Sequence, residues 1–529
     1  MHKPNPQKTN SSASRQPGSL FYLFACTLIA ALGGLLFGFD TAVISGAEQT
    51  LQQLYGLTGF WHGLLMATAL IGTIVGAVLV GKPADMLGRR TTLMIIALFY
   101  LISAIGSAFA WGPWSFGIFR FLGGLAVGGA SVVSPMYTAE ISTAKLRGRL
   151  VALTQFNICL GIMLAYVSNY AIAEIGLGAS EWRWMFGVEA VPAAVFALLL
   201  FLTPRSPRWL MAKNKETEAR HVIRSLTRST EEEIDAELQA IRNSLDIQHH
   251  SLKERFFQRS YMKPILLVIA MASFNQLSGI NALLYYAPRV FEMSGAVTAT
   301  AKLSSITVGF ILMVCTMGAL CVIDNFGRRW LMILGSVGYI VSLAAVTWVF
   351  FSHASQFEVI ARENELARTQ ARVEAVLAEN ETQNAAAGGA IESARQSLRE
   401  AQAELSRAQK DAGPFDREDI AVASWVVLIG LLLFIASHAI GQGTVIWVFI
   451  SEIFPNRLRA RGQALGSFTH WFWAAVITWT FPAFAVASGA LPFAFFTICM
   501  VAQLIWVLRY MPETKGIPLE EIQKRLGID

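Results

Sequence analysis

The chain has 529 residues, 54% of them hydrophobic and 15% charged, with a formal net charge of +6. Its positive mean hydropathy argues against a soluble enzyme and points to a protein that crosses a membrane many times. The five cysteines (Cys26, Cys159, Cys315, Cys321, Cys499) lie in apolar stretches without paired spacing, so neither a disulfide framework nor a metal site is expected; the excess of positive charge reads as loop bias at a membrane, not a nucleic-acid surface.

In chain order, residues 1–19 read as a polar tail, and the apolar run behind them is too long for a cleaved signal peptide. Twelve spans are predicted, at 20–46, 61–81, 91–110, 114–138, 150–173, 184–203, 263–293, 303–323, 330–351, 420–449, 463–487 and 491–510. Each approaches or exceeds the ~20 residues needed to cross a bilayer. Lys82/Arg89/Arg90, Lys145/Arg147/Arg149, Arg328/Arg329 and Arg457/Arg459/Arg461 all fall on one side, while the loops near 48–60 and 111–113 hold no Lys or Arg. Both termini are therefore expected in the cytoplasm.

The sequence also repeats. Asp85-Met-Leu-Gly-Arg-Arg90 recurs 239 residues later as Asp324-Asn-Phe-Gly-Arg-Arg329, and Glu140-Ile with Arg147-Gly148 recurs as Glu452-Ile with Arg461-Gly462, 312 residues after Glu140. Two six-helix halves explain the recurrence, 20–203 and 263–511, joined by a linker over 204–262 that should hold one or two amphipathic helices within 216–245. The second half is split into 263–351 and 420–511, and a short tail, 512–529, follows it.

The two repeat intervals differ by 73 residues, which places an insertion at 352–419 on the extracytoplasmic side. Val359, Leu366 and Val373 recur every seven residues, as do Ile391, Leu398 and Leu405, with Asn384-Ala-Ala-Ala-Gly-Gly389 between the two series. This is the pattern of a coiled-coil hairpin, with a single solvated helix or an irregular loop as the alternative. With 8 Lys/Arg and 13 Asp/Glu its net charge is −5, and its apolar stripe is thin.

Two features inside the spans carry chemistry. Phe274–Arg289, FNQLSGINALLYYAPR, sets Asn275, Gln276, Ser278, Asn281, Tyr285 and Tyr286 into apolar sequence, with Gly279 and Pro288 where a helix bends or breaks. Such groups should face a bundle interior or a wet cavity, where they suit a neutral, hydroxyl-rich ligand; polar contacts between helices are the alternative. The second feature is a pair of lone charges, Asp40 between Gln16 and Ala47 and Arg120 between Thr91 and Ala139. At ~1.5 Å per residue both sit about 10 Å below the outer surface, where opposite charges should pair. A conformational change that makes and breaks the pair would load and release a proton, unless the pair is purely structural.

The basic loops carry further charges that make sense unaided. Asp85, Arg89, Arg90, Glu140, Arg147, Asp324, Arg328, Arg329, Glu452 and Arg461 gather at helix ends near one membrane face. Carboxylate–guanidinium forks there would tie helices when that face closes and separate when it opens; static interface charge is the alternative.

GGLLFGFD (33–40), ADMLGRR (84–90), Arg120, PMYTAEISTAKLRG (135–148), SPRWL (206–210), QLSGINALLYY (276–286), DNFGRR (324–329), SEIFPNRLRARG (451–462) and PETKG (512–516) resemble, in family order, the sugar porter family of the major facilitator superfamily. The resemblance covers nearly everything outside the N-terminal tail and 352–419. It implies an all-α membrane protein with twelve transmembrane helices in two six-helix repeats, the gating role for the charged forks, and no cofactor. By position it implies sugar contacts from Gln155, Asn275, Gln276, Asn281 and Trp447, a set that His470 and Trp471 continue. It further implies coupling at Asp40, where similar proton symporters carry aspartate and uncoupled facilitators asparagine. Departures include Asn275 for the first glutamine of the usual pair, Leu312 for an asparagine, Gly443-Thr444 for Gly-Pro, His438 for an aromatic and His470 for an amide. The two histidines could alternatively titrate.

The reading is a proton-coupled hexose or pentose symporter of the plasma membrane, bacterial and inner by its resemblance. Its partners are a monosaccharide, a proton and the bilayer, and the hairpin offers a surface to a further protein. An uncoupled facilitator or a transporter-like sugar receptor are the alternatives. No nucleophile–base set for an enzyme is apparent.

Overall fold

Backbone in lipid has no water to bond with, so long apolar stretches become helices that satisfy their own N–H and C=O groups. The computed structural model describes residues 20–142, 146–227, 230–251, 256–295, 298–383, 388–455, 458–517, 519–526 and 528. Residues 1–19 and 384–387, and the side chains of Arg147 and Asp324, lie outside them. In the first half, the helices are α1 (Leu20–Leu54), α2 (Gly59–Leu79), α3 (Arg89–Ala108), α4 (Pro113–Ile141), α5 (Arg147–Ile175) and the span Gly178–Leu202, here α6. In the second half they are α7 (Met262–Leu277), α8 (Ile280–Met293), α9 (Thr298–Phe326), α10 (Arg328–Ser352), α11 (Ala354–Gln383), α12 (Gly388–Ala412), α13 (Arg417–Ile440), α14 (Gln442–Ile453), α15 (Arg459–Ala487) and α16 (Leu491–Arg509).

Eleven spans among the described residues are long and apolar enough to cross a membrane, one fewer than the twelve expected. The one that falls short is the predicted span 463–487. It is present as the 29-residue α15, but His470, Trp471, Trp473 and Trp479, with Thr469, Thr478 and Thr480, dilute its apolar character.

Two predicted spans are broken in the middle. Residues 263–293 form α7 and α8, separated at Gly279, whose φ of +90° only glycine adopts without a Cβ penalty. Within α8 the backbone departs from helix again at Tyr286 (φ −120°, ψ 22°), just before Pro288, which lacks the N–H of a continuous ladder. Residues 420–449 likewise divide into α13 and α14 around Gly441. Each break lifts a few backbone groups out of the ladder at membrane depth, which a bundle tolerates where the segment is enclosed by protein or lines a cavity.

The repeat reaches down to single torsion angles and hydrogen bonds. Gly88 caps α3 at φ 89°, ψ 154°, and Gly327 caps α10 at φ 88°, ψ 157°. After the first cap, Arg89 Nε donates to Glu140 Oε1 at 3.0 Å, and Ser206 donates its hydroxyl to the other oxygen of Glu140. After the second, Arg328 Nη2 donates to Glu452 Oε1 at 2.8 Å, and the Thr514 hydroxyl donates to Glu452 Oε2 at 2.6 Å. In each half a helix-end arginine, a glutamate and a hydroxyl from the segment beyond the last span make one unit. We call this side the basic face and the opposite one the hairpin face.

Within the first half α1 packs along α5 and α2 along α4; within the second α10 packs on α13 and α16, and α7 on α15. The halves meet through three crossings, α2 with α15, α5 with α9 and α1 with α8. Named bonds across this seam run from mid-membrane to the hairpin face: Tyr166 Oη donates to the Leu284 carbonyl at 2.9 Å, Trp479 Nε1 to the Phe60 carbonyl at 3.2 Å, and Lys302 pairs with Glu181 at 3.1 Å. The ion pairs described at the basic face stay inside one half or the other.

Outside the bundle, α11 and α12 lie against each other through Val359, Val373, Ala401 and Ala408, all buried, and Arg362 pairs with Glu404 at 2.6 Å. The linker forms helices Pro207–Ala212, Glu216–Leu226 and Glu231–Ser251, clustered around Trp209, Leu210, Ile223, Ile234 and Leu238.

Candidate functional site

The break after α7 brings its last turn and the first turn of α8 together, and the amides of both meet there. Gln276 is the hub. Its Nε2 donates to Asn275 Oδ1 at 2.9 Å and lies 3.1 Å from His470 Nε2, while its Oε1 accepts from Asn281 Nδ2 at 2.6 Å. Asn275, Gln276 and Asn281 are buried. His470 stands 5.3 Å from the Trp447 ring and 4.7 Å from that of Trp471, and Trp471 meets Phe37 of α1 edge-on at 5.5 Å. Six of the seven sugar-contact candidates thus form one cluster of amides, an imidazole and indoles, chemistry that matches hydroxyls and the apolar face of a sugar ring. Gln155, on α5, is set beside Cys159 at 3.9 Å, and Cys159 in turn reaches Thr316 of α9 at 3.7 Å.

Asp40 and Arg120 form a buried two-pronged pair. Arg120 donates through Nη1 to Asp40 Oδ1 and through Nη2 to Asp40 Oδ2 at 3.2 Å and the Asp40 carbonyl at 3.1 Å. The guanidinium also lies over the Phe186 ring, 5.4 Å from its centroid. The depth expected for Asp40 needs correction, because α1 continues past Ala47 to Leu54. Asp40 is therefore deeper in its helix than the sequence suggested, near the middle of α1, whereas Arg120 stays close to the start of α4.

Two sets of functional candidates escaped the sequence reading. Glu189 of α6 is buried beside this pair, within electrostatic reach of both Asp40 and Arg120, and neither of its carboxylate oxygens has a hydrogen-bond partner among the described residues. It is the one charge within the predicted span 184–203, the same signal that singled out Asp40. The second set closes the hairpin face. Glu48 of α1 accepts from Arg289 of α8 at 2.8 and 2.7 Å and pairs with His62 of α2 at 2.8 Å, and Arg289 also donates to Gln52 at 2.5 Å. Ending the first span at 46 hid this set, since a charge paired on two sides can continue a buried helix.

The remaining charged candidates sit at the basic face. Arg89 pairs with Asp85 at 3.0 Å as well as with Glu140. Arg90 donates to the carbonyls of Leu200 and Phe201 instead of a carboxylate. Arg329 donates to the Leu508 carbonyl at 2.6 Å, while the backbone amides of Arg328 and Arg329 both donate to Glu513 at 3.0 Å. Arg461 lies half-buried in the first turn of α15.

A family model described as sugar (and other) transporter matches residues 26–361 and 410–526. The chain belongs to this family. The transporter is 32% identical to the D-xylose-proton symporter of Escherichia coli, over 95% of each chain. It is also 32% identical to the arabinose-proton symporter of Bacillus subtilis, over 96% of this chain and 95% of the relative. Its fold matches the inward-open conformation of the xylose transporter XylE from E. coli with a TM-score of 0.73 at 30% identity, covering 95% of this chain and 99% of that one. It is thus an all-helical, multi-pass membrane protein of the major facilitator fold and of a transporter family, not an enzyme family.

The departures noted in the sequence take defined places in the transporter. His438 Nδ1 lies 2.6 Å from the Tyr339 hydroxyl, which also donates to Gln442 at 3.1 Å. Leu312 is buried on α9, where its side chain offers no hydrogen bond. Thr444 spends its hydroxyl on the Ala439 carbonyl at 2.6 Å, across the break between α13 and α14.

Proposed function

We propose that this protein is a proton-coupled symporter of a pentose or hexose that works by alternating access, with its basic face and both termini in the cytoplasm. The observation that carries the reading is the buried Asp40–Arg120 pair, held in the same bundle as the amide and indole cluster around Gln276. Relatives named as proton symporters of xylose and arabinose support it. So does the distribution of basic loops.

In this reading Gln155, Asn275, Gln276, Asn281, Trp447, His470 and Trp471 hold the sugar. Its hydroxyls take over hydrogen bonds that the amides now make to one another, so that binding leaves no amide unsatisfied. Asp40 exchanges the proton, and Arg120 sets whether its carboxylate is charged. Glu189 adds a second carboxyl to this site and competes for the same guanidinium. The forks at Glu140 and Glu452 stiffen each half so that it moves as a body, and the two halves rock about the central cluster. The 352–419 segment is an extracytoplasmic insertion that leaves the repeat around it complete. The family match supports this placement, for it stops at 361 and resumes at 410.

Uptake of labelled xylose, arabinose and glucose into proteoliposomes, with and without an imposed pH gradient, tests the reading. Accumulation of one sugar above its external concentration only when the gradient is present is the expected result. Uptake that merely equilibrates in both conditions would replace symport by facilitated diffusion.

A further inference from the structure

The seam at the hairpin face contains one contact that the repeat does not explain. Arg368, at the middle of α11, sends its two terminal nitrogens to different halves of the protein. Nη1 donates to Gln49 Oε1 on α1 at 2.9 Å, and Nη2 pairs with Glu292 Oε1 on α8 at 2.6 Å. Gln49 and Glu292 also touch directly at 2.8 Å, so the three side chains close a triangle across the seam. One residue away on α1 and one helical turn away on α8, the Glu48–Arg289 pair crosses the same seam.

The root of α11 is fastened to the second half. Phe357 is buried against Phe350 of α10 at 5.5 Å, Val359 is buried, and Glu363 pairs with Arg417 at the start of α13 at 2.9 Å. Arg362 ties α11 to α12 through Glu404. A root fixed in this way moves with α8, α10 and α13, whereas Gln49 moves with α1. Any motion that parts the halves at the hairpin face must therefore pull Arg368 off Gln49, while Glu292 travels with it.

We propose that Arg368 is a latch that holds the hairpin face closed, so that the 352–419 segment sets the balance between the two access states without touching the sugar. The latch rests on the alternating-access reading above. A guanidinium suits the task because its planar fork serves two acceptors at once, which a lysine ammonium does with less geometric definition. Arg368 is partly exposed, 37% at its side chain. Its contribution is therefore modest, about two- to fivefold in the ratio of closed to open protein, as for exposed ion pairs. A bias of that size tunes the cycle without stopping it.

Hydrogen–deuterium exchange by mass spectrometry on the full-length protein in lipid nanodiscs, without sugar, tests the latch. In R368A, exchange should rise in peptides covering the hairpin-face ends of α1 and α8 and fall at the basic-face ends of α4, α5, α14 and α15, because parting one face closes the other. Q49A should change both faces in the same directions, and it carries the test if R368A fails to insert. A change confined to 354–412, a rise without the reciprocal fall, or no change overturns the latch. Sugar uptake by the unmodified protein tests the transport reading separately, so the two can fail independently.

Discussion

Asn281 and Tyr285 stand one turn apart on α8, the first donating to Gln276 at 2.6 Å and the second buried within electrostatic reach of both Asp40 and Arg120. Side chains four apart share a helix face, so one rigid turn joins the amide cluster to the charge pair. Under the proposed symport, a sugar that repositions Asn281 would move Tyr285 against the pair, a short physical route from ligand to proton. Asp40→Asn keeps the shape of the site but removes the carboxylate proposed to exchange the proton. The variant is expected to lose accumulation of sugar against its gradient while retaining sugar exchange across the membrane. Proteoliposomes with an imposed pH gradient check both activities, and a variant that still concentrates sugar would exclude Asp40 as the coupling site.

Gln276 holds three partners in the amide cluster, and no neighbour replaces it. Gln276→Ala should weaken sugar binding by about 1–3 kcal/mol, the usual cost of leaving a buried hydrogen-bonding group without its partner. That corresponds to roughly five- to more than a hundredfold in dissociation constant. Calorimetry on the purified variant, with the sugar identified by uptake, gives the answer; unchanged affinity would remove Gln276 from the site.

The paired units at the basic face make a symmetric prediction. Ser206 serves Glu140 in the first half as Thr514 serves Glu452 in the second. Ser206→Ala and Thr514→Ala each remove a hydrogen bond to a carboxylate, worth about 1.5–3 kcal/mol when the acceptor is charged. Both should lower the thermal unfolding midpoint in detergent. The effect should be the larger at Ser206, because the Glu140 side chain is 8% exposed and that of Glu452 is 23%. Equal stability of S206A and the parent protein would show that the hydroxyl adds nothing to the fork.

The α11–α12 pair should be dispensable for transport itself. Replacing 355–415 with a short Gly/Ser linker is expected to leave a folded protein whose uptake stays within a few-fold of the parent, as loss of a modest latch implies. A protein that inserts normally but does not transport would make the pair part of the mechanism.

Much of this organisation can be read from the residues alone, for physical reasons that are local. Apolar runs of bilayer length become helices because lipid offers no other partner for the backbone. Asp40 and Arg120 could be matched because each is the lone charge in a long apolar stretch, and a lone charge in a bundle needs a partner. The duplicated Gly-Arg-Arg motifs marked two equivalent helix starts, and the same positive φ at Gly88 and Gly327 is the backbone form of that equivalence.

Other features depend on what lies across the seam. The sequence could mark Gly279 and Pro288 as weak points in a helix, but which of them separates α7 from α8 depends on the side chains packed around them. Glu48 looked like a loop residue because its partners, His62 and Arg289, lie on other helices, and only their approach makes a charge tolerable inside α1. Glu189 needed the neighbouring pair to acquire meaning. Arg368 reads in the sequence as one charge on a solvated face; folding sets it between Gln49 and Glu292, because helix periodicity determines which way a side chain points but not what stands opposite.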